Sequence, residues 1–255
     1  MRTIVLFLIL LGCGTSHITA QNDYLVTTIP NQEDPLSEEE QFIKENFPLQ
    51  LLCKWTPGMK FMFIPSGRDM FLPTLSVYET EKGADNSVLK HKILTFAGYE
   101  EKSQKLSNDM SYSTRLIFEC DGEKYYYEIK NTRPDEICEK NPRAYINGLV
   151  NLKDVDTAKD LLRGRKIYVQ SDMAQVDDAN SYSGYREVSI PVNTEATITA
   201  IGVGSQAYPV KIIFQDSQGH TYYLEVALSR TNSGMDVSDF QAEKKMRYFS
   251  NAISF

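Results

Sequence analysis

The chain contains an internal duplication, which constrains its fold more than any other feature. Residues 58–63 read GMKFMF and residues 164–169 read GRKIYV. Further along, RLIFECDGEKYYYEI at 115–129 corresponds to KIIFQDSQGHTYYLEV at 211–226. The matched positions keep their order, so the chain carries two copies of one structural unit. This duplication predicts architecture and says nothing about chemistry.

Each copy contains the same series of predicted elements: an opening strand, a long polar loop, a second strand and a closing hairpin. The hairpins turn at Gly122 and at Gly219. Residues before each turn alternate between apolar and polar, which indicates one buried face and one at least partly wet face. Because the matches lie in strand and turn positions, we expect Phe118 and Phe214 to occupy equivalent places.

This order of elements, with a Gly-x-Lys opening strand and a Tyr-Tyr hairpin, resembles the SH3-like β-barrel in the tandem form found in secreted bacterial proteins. The resemblance covers roughly residues 51–130 and 160–230. It implies an all-β fold with short helices, built as two tandem SH3-like barrels. The copy at 58–129 also resembles uncharacterised exported bacterial proteins that share the whole plan, and this resemblance implies no activity.

We divide the chain into six segments on this basis. They are a signal peptide (1–20), an N-terminal arm with a short helix (21–50), the first SH3-like repeat (51–132), a linker with a short helix (133–162), the second SH3-like repeat (163–231) and a C-terminal helix with a tail (232–255). The first helix begins with the capping box Ser37-x-x-Glu40. We expect its apolar stripe to pack on the first repeat.

The N-terminal residues predict export. Arg2 precedes a short apolar run, and Ala20 closes an Ile-Thr-Ala cleavage site. A second interpretation is a lipoprotein signal, in which Leu-Leu-Gly precedes Cys13 and this cysteine is lipidated. No other stretch approaches 18 apolar residues, so we expect no membrane span. The expected location is the periplasm, the outer-membrane surface or the extracellular space.

Charge and cysteine content narrow the classes of partner and compartment. The net charge of −7 argues against nucleic-acid binding, because an acidic protein repels phosphate. After export three cysteines remain: Cys53, Cys120 and Cys138. An odd count allows at most one bridge within the chain, and an oxidising compartment permits it. Three isolated, mostly buried thiols are the alternative.

No catalytic, cofactor-binding or metal-ligating constellation is recognisable. Beyond the signal segment the histidines are His91 and His220, and neither has a metal-ligand spacing or a neighbouring nucleophile. Cys120 ends a strand beside Phe118, a position typical of a core thiol or half of a disulfide. The sequence therefore predicts no catalytic residue, no cofactor and no metal.

The tyrosines form the candidate binding surface. Strand alternation directs Tyr126 and Tyr223 away from the barrel core, and Tyr182 and Tyr185 lie in the long loop of the second copy. Exposed tyrosine rings suit a binding platform for peptides or sugars, because they give contact area at low entropic cost. The alternative is that these rings pack between the repeats or under a terminal helix.

These observations predict a non-catalytic binding or structural protein of the bacterial cell envelope. Its expected ligand is a peptide, a cell-wall fragment or another envelope protein. Two alternatives stay open: a targeting subunit of an envelope enzyme complex, and a cysteine hydrolase that uses Cys53 or Cys120 with His91. The sequence indicates neither the ligand nor the oligomeric state.

Overall fold

The computed structural model describes residues 38–65, 72–106, 109–142, 146–180, 184–229 and 253–254, which belong to one compact unit. The signal peptide, Cys13 and Tyr182 lie outside the described residues, as does the predicted C-terminal helix. The helices are α1 (Glu38–Asn46), α2 (Asn86–Leu89), α3 (Ile137–Lys140) and α4 (Leu152–Leu162), with 3-10 turns at Leu52–Lys54 and Pro134–Glu136. The strands of the first half are β1 (Lys60–Phe63), β2 (Ser76–Val77), β3 (Ile93–Leu106), β4 (Asp109–Cys120), β5 (Glu123–Lys130) and β6 (Leu149–Asn151). The strands of the second half are β7 (Lys166–Val169), β8 (Met173–Asp177), β9 (Tyr185–Ser189), β10 (Thr194–Val203), β11 (Val210–Asp216), β12 (Thr221–Val226) and β13 (Ile253–Ser254).

In the described part of the chain these strands form two antiparallel, barrel-like sheets. The first has the order β2-β5-β4-β3-β1-β6, and the second has the order β13-β7-β10-β11-β12-β8-β9. Five strands correspond one to one, since β2, β5, β4, β3 and β1 occupy the places of β8, β12, β11, β10 and β7. The prediction of an all-β fold with short helices is therefore confirmed.

Strand register confirms that the duplicated residues are structurally equivalent. Phe118 lies opposite Phe96 on β3, just before a β-bulge, and Phe214 lies opposite Ile198 on β10, also just before a bulge. Both phenylalanines are fully buried. Gly122 and Gly219 adopt positive φ angles of 85° and 86° in the hairpin turns, a conformation that glycine adopts at no steric cost.

Each sheet has its own apolar core, and the N-terminal helix packs on the opposite core from the one we expected. Ile43 of α1 and Phe47, the residue after the helix, are buried with Ile167 and Phe214 of the second sheet. The expectation that this helix packs on the first repeat is wrong. The capping pattern determines where a helix starts, whereas its packing partner depends on tertiary contacts that a local pattern does not encode.

Two segments that the sequence predicts as connections contain strands. The linker 133–162 contributes β6, whose residues pair with β1, and its side chains alternate between the two cores: Leu149 faces the first and Val150 the second. The long loop predicted at 171–187 contains β8 and most of β9, which pair as a hairpin. These strands are short, and β9 is largely exposed, so they lack the apolar run by which strands are recognised.

The two sheets meet at a polar contact next to β6. The buried side chain of Gln206 donates from Nε2 to the Ile146 carbonyl at 2.7 Å and accepts from the Gly148 N–H at 2.6 Å. Ile64, at the end of β1, packs against the second core. The loop after β10 is therefore held against the residues that lead into β6 of the first sheet.

No helix in the described ranges is long and apolar enough to cross a membrane.

Candidate functional site

The two tyrosines singled out by the repeat lie off the apolar cores, but they are not exposed. Tyr126 and Tyr223 are outside both core clusters, as alternation predicts. Only 5% of Tyr126 and 6% of Tyr223 is exposed. The expectation of exposed rings is wrong because side chains of the same sheet cover them.

A cation lies over each of these rings. The Arg115 guanidinium is 4.1 Å from the centroid of Tyr126, and the Lys211 ammonium is 3.4 Å from the centroid of Tyr223. Arg115 on β4 lies two residues before Ile117, which pairs with Tyr126. Lys211 on β11 lies two residues before Ile213, which pairs with Tyr223. Cation–π contacts of this kind contribute about 0.5–2 kcal/mol each. Arg115 and Lys211 open the two matched segments of the duplication, so the sequence shows that the cations are equivalent but not that they cover the tyrosine rings.

In the first repeat, neighbouring side chains pack against both the cation and the tyrosine ring. We name these residues the first tyrosine–cation cluster: Tyr78, Glu81, Arg115 and Tyr126. Arg115 Nη2 donates to Glu81 Oε1 at 2.8 Å, and the Tyr78 ring meets the Tyr126 ring edge-on at 6.4 Å. Hydrogen bonds from Arg115 and then from Lys102 lower the pKa of Glu81 to about 2. Only 4% of Arg115 is exposed, so this cluster is a packed structural element.

The second repeat has an equivalent group of side chains, in which the ion pair is longer. We name these residues the second tyrosine–cation cluster: Asp177, Tyr185, Lys211 and Tyr223. Tyr185 meets Tyr223 edge-on at 6.4 Å. Lys211 Nζ is 3.8 Å from Asp177 Oδ1, and the Asp177 side chain is 88% exposed. Burial, followed by the charges of Asp177 and Glu225, raises the pKa of Tyr223 to about 12. The phenol is therefore neutral at physiological pH, and its O–H can donate a hydrogen bond.

The register shows how the two clusters differ. Ser76 on β2 pairs with Tyr126, and Gln175 on β8 pairs with Tyr223, so serine in one repeat corresponds to glutamine in the other. Two residues further along each strand come Tyr78 and Asp177. Across the hairpin from them lie Glu81 in the first repeat and Tyr185 in the second. The carboxylate and the second tyrosine have thus exchanged sides of the hairpin.

A cleft of about 730 Å³ opens beside the second cluster, and we name it the junction cleft. One wall belongs to the second sheet and carries Gln175, Asp177, Glu187, Lys211, Tyr223 and Glu225. The other wall belongs to the first repeat and carries Pro65, Lys90 and His91. The volume is in the range of pockets that bind small molecules. The cleft lies where the two repeats meet and draws five residues from 171–187, the long polar segment of the second copy, but only Pro65 from 65–89, the long polar segment of the first.

Gln175 is the least satisfied polar group in this cleft. It is 8% exposed, and its Oε1 has no hydrogen-bond partner within the described residues. A buried amide oxygen without a donor costs about 1–3 kcal/mol. Most buried polar atoms in folded proteins are paired, so a lone one beside a cleft needs a physical reason. The oxygen itself is buried, so a ligand donor would provide that reason once the side-chain amide turns toward the cleft. The sequence alone did not indicate Gln175, because its burial depends on how β8 pairs.

The rim of the cleft is held by a close backbone approach at Gly204. A Cβ atom here would clash with the Tyr208 carbonyl oxygen. The Gly204 N–H donates to the Pro209 carbonyl at 3.0 Å, and the Ser205 N–H donates to Glu225 Oε2 at 3.2 Å. These contacts fix Glu225 at the edge of the junction cleft.

The cysteines divide into one bridge and one buried thiol. Cys53 and Cys138 form a disulfide with their Cα atoms 5.2 Å apart. Cys120 is a buried free thiol in the first core, 6% exposed. Burial, followed by the charge of Asp121, raises its pKa. A reactive cysteine needs the opposite shift, because the thiolate is the nucleophile.

The histidines are placed differently from one another. His220 Nδ1 lies 3.1 Å from Asp216 Oδ2 in the β11–β12 turn, where the histidine side chain is 61% exposed. This pair lies on a surface turn and not among the residues of the junction cleft. His91 does line that cleft, and across the described ranges its ring makes no hydrogen bond or ion pair. No group of three or more His, Cys, Asp or Glu side chains within those ranges is arranged to hold a metal ion.

Of the four tyrosines that the sequence predicts as a binding surface, the structure brings two into contact. Tyr185 and Tyr223 meet at the junction cleft, Tyr126 is sealed in the first cluster, and Tyr182 lies outside the described residues. Comparison of the chain with protein-family models, with curated proteins and with solved structures found no match.

Proposed function

We propose that this chain is an exported, non-catalytic binding protein of the bacterial envelope, and that the junction cleft is its ligand site. The observation that carries the proposal is Gln175, a buried amide with an unpartnered oxygen in the wall of that cleft. Ligand sites commonly combine a concave surface, aromatic walls and a few convergent polar groups. The junction cleft combines all three. Its proposed ligand is a peptide or a cell-wall fragment.

Export is supported by two independent features. The first 20 residues have the charged start, short apolar run and small-residue cleavage site of a secretory signal. The Cys53–Cys138 disulfide suits an oxidising compartment, where such bonds persist. The resemblance of the repeats to tandem SH3-like barrels in exported bacterial proteins points the same way.

The arrangement of the reactive groups favours binding over hydrolysis. Cys53 is consumed by the disulfide, and Cys120 is buried with a raised pKa. Nucleophilic catalysis needs a nucleophile and a base within hydrogen-bond reach of each other. His91 makes no such contact with a described residue. The cysteine-hydrolase alternative therefore lacks a geometric basis, whereas the cleft offers a binding site.

The test is a two-dimensional ¹⁵N–¹H NMR titration of the purified protein with two pools, a muropeptide digest and a mixture of short peptides. We expect at least one pool to shift the amide resonances of Gln175, Lys211 and Glu225. The variant Gln175→Leu should weaken this binding about tenfold or more, because a ligand donor loses its acceptor.

Gln41→Leu is the matched control for this titration. Gln41 is an exposed glutamine on α1 whose side chain bonds only Glu45 within the described residues. Binding should be unchanged in this variant. If neither pool shifted the cleft resonances, or if both variants bound equally well, the proposal would be refuted.

A further inference from the structure

The two repeats differ at the face beside the junction cleft. The duplicated core and turn residues are retained, but Gly83 opposite Ser76 is replaced by Glu187 opposite Gln175. The buried Arg115 is likewise replaced by a lysine in the second repeat. The first repeat has a packed cluster on this face, whereas the second repeat carries further charged and polar groups at the equivalent positions.

The charges of the cleft are of both signs and lie on different walls. Asp177, Glu187 and Glu225 belong to the second sheet, where Lys211 is already engaged by the Tyr223 ring and by Asp177. The first repeat contributes Lys90, which is exposed and has no carboxylate partner in the described part of the chain. One wall is therefore suited to a cation and the facing wall to an anion.

The middle of the cleft is suited to a hydrogen-bonding group. Gln175 has a buried oxygen that lacks a donor, and on turning toward the cleft it would accept from the amide N–H of a peptide. Tyr185 and Tyr223 supply aromatic surface beside it. A neutral sugar would use the tyrosines and the amide but not the separated charges.

We infer that the junction cleft binds a zwitterionic peptide, with its ammonium group toward Asp177 and Glu187, its carboxylate toward Lys90, and its backbone N–H on Gln175. This inference rests on the proposed function and names the ligand class for the same site. Because the charged side chains are exposed, each charge contributes modestly, and hydrogen bonding to Gln175 adds to them.

The probe is trialanine in four forms: free, N-acetylated, C-amidated and blocked at both ends. Affinities are measured by NMR titration of the intact protein at low ionic strength. We expect each single block to weaken binding about fivefold and the double block to weaken it about 25-fold, in keeping with two independent exposed ion pairs. Equal affinity for all four forms would overturn the inference.

Single substitutions assign each charge to its wall. In Lys90→Met the free and C-amidated peptides should bind equally, while the penalty for N-acetylation remains. In Asp177→Asn the penalty for N-acetylation should shrink and the penalty for amidation remain. Lys166→Met is the control, since Lys166 is an exposed lysine on β7 with an ion pair of 3.4 Å to Glu195, away from the cleft. Loss of discrimination in the control, or none in Lys90→Met, would contradict the assignment.

Failure of this inference is distinguishable from failure of the proposed function. An N-acetylglucosamine disaccharide that shifts the cleft resonances while the peptides do not would keep the cleft as a binding site and reject the zwitterionic ligand. Resonance shifts from none of the peptides, sugars or muropeptides would reject both. Circular dichroism and the thermal midpoint of each variant show that it is folded before its affinity is compared.

Discussion

The Cys53–Cys138 disulfide allows the sharpest prediction about stability. The bridge joins residues 85 positions apart and encloses β1 to β5 of the first sheet. In the chain-entropy model, a cross-link over that separation of 85 restricts the unfolded state by about 4.5 kcal/mol at 25 °C. Cys53 is half-buried and Cys138 exposed, so replacing both by alanine removes little packing. We expect the double variant to lose about 3–5 kcal/mol.

The assay is urea unfolding of the wild-type protein and of the variant Cys53→Ala/Cys138→Ala, followed by circular dichroism. Cys120→Ala is the control, because it removes a buried sulfur without opening the bridge, and it should cost about 1 kcal/mol. Titration of thiols in the denatured, unreduced protein should find one reactive thiol among Cys53, Cys120 and Cys138. An unchanged midpoint in the double variant, or three titratable thiols, would refute the reasoning.

Three further predictions concern the cores, the first cluster and the cleft rim. Phe118→Ala and Phe214→Ala should each lower the free energy of unfolding by about 3–5 kcal/mol, because both rings are fully buried; an unchanged denaturation midpoint in either would contradict the core assignment. Glu81 has its pKa lowered from 4.5 to about 2, so its ionised form stabilises the fold fully above about pH 4.5 and this contribution is lost as the pH falls toward 2. Glu81→Gln should therefore flatten the dependence of the thermal midpoint on pH in that window, and an identical acid profile would count against the Arg115 contact. Gly204→Ala should lower stability by about 1–3 kcal/mol and disturb ligand binding, because its Cβ meets a backbone oxygen, and a neutral effect in thermal melts would show that the rim is not packed as described.

The parts of the fold that follow from repetition could be predicted from the sequence. Two copies of the same strand and turn pattern must pair in the same register, so Phe118 and Phe214 fall at equivalent positions beside equivalent bulges. Alternation also correctly separated the faces of β5, where Tyr125 belongs to the first core and Tyr126 does not. In each case the prediction depended on neighbours along the chain or on a period of two.

The parts that depend on distant contacts could not be predicted. Alternation shows that Tyr126 points away from the core, but it does not show that Arg115 covers the ring. The β8–β9 hairpin lacks an apolar pattern, so the segment that carries Gln175 resembled a loop. Lys90 is likewise separated from Lys211 by more than a hundred residues, and only the packing of the repeats brings both into one cleft.

The exchange of acid and tyrosine between the two hairpins explains why one cluster is closed and the other open. Glu81 sits in a tight turn, where its N–H donates to the Val77 carbonyl at 2.9 Å, and Arg115 and Lys102 both bond its carboxylate. The turn and the cations therefore hold this carboxylate in one place. Asp177 lies at the start of a longer turn and meets Lys211 only at 3.8 Å. The Asp177 side chain is 88% exposed and its ion pair with Lys211 is long, so the same duplicated face carries a fixed carboxylate in one repeat and an accessible one in the other.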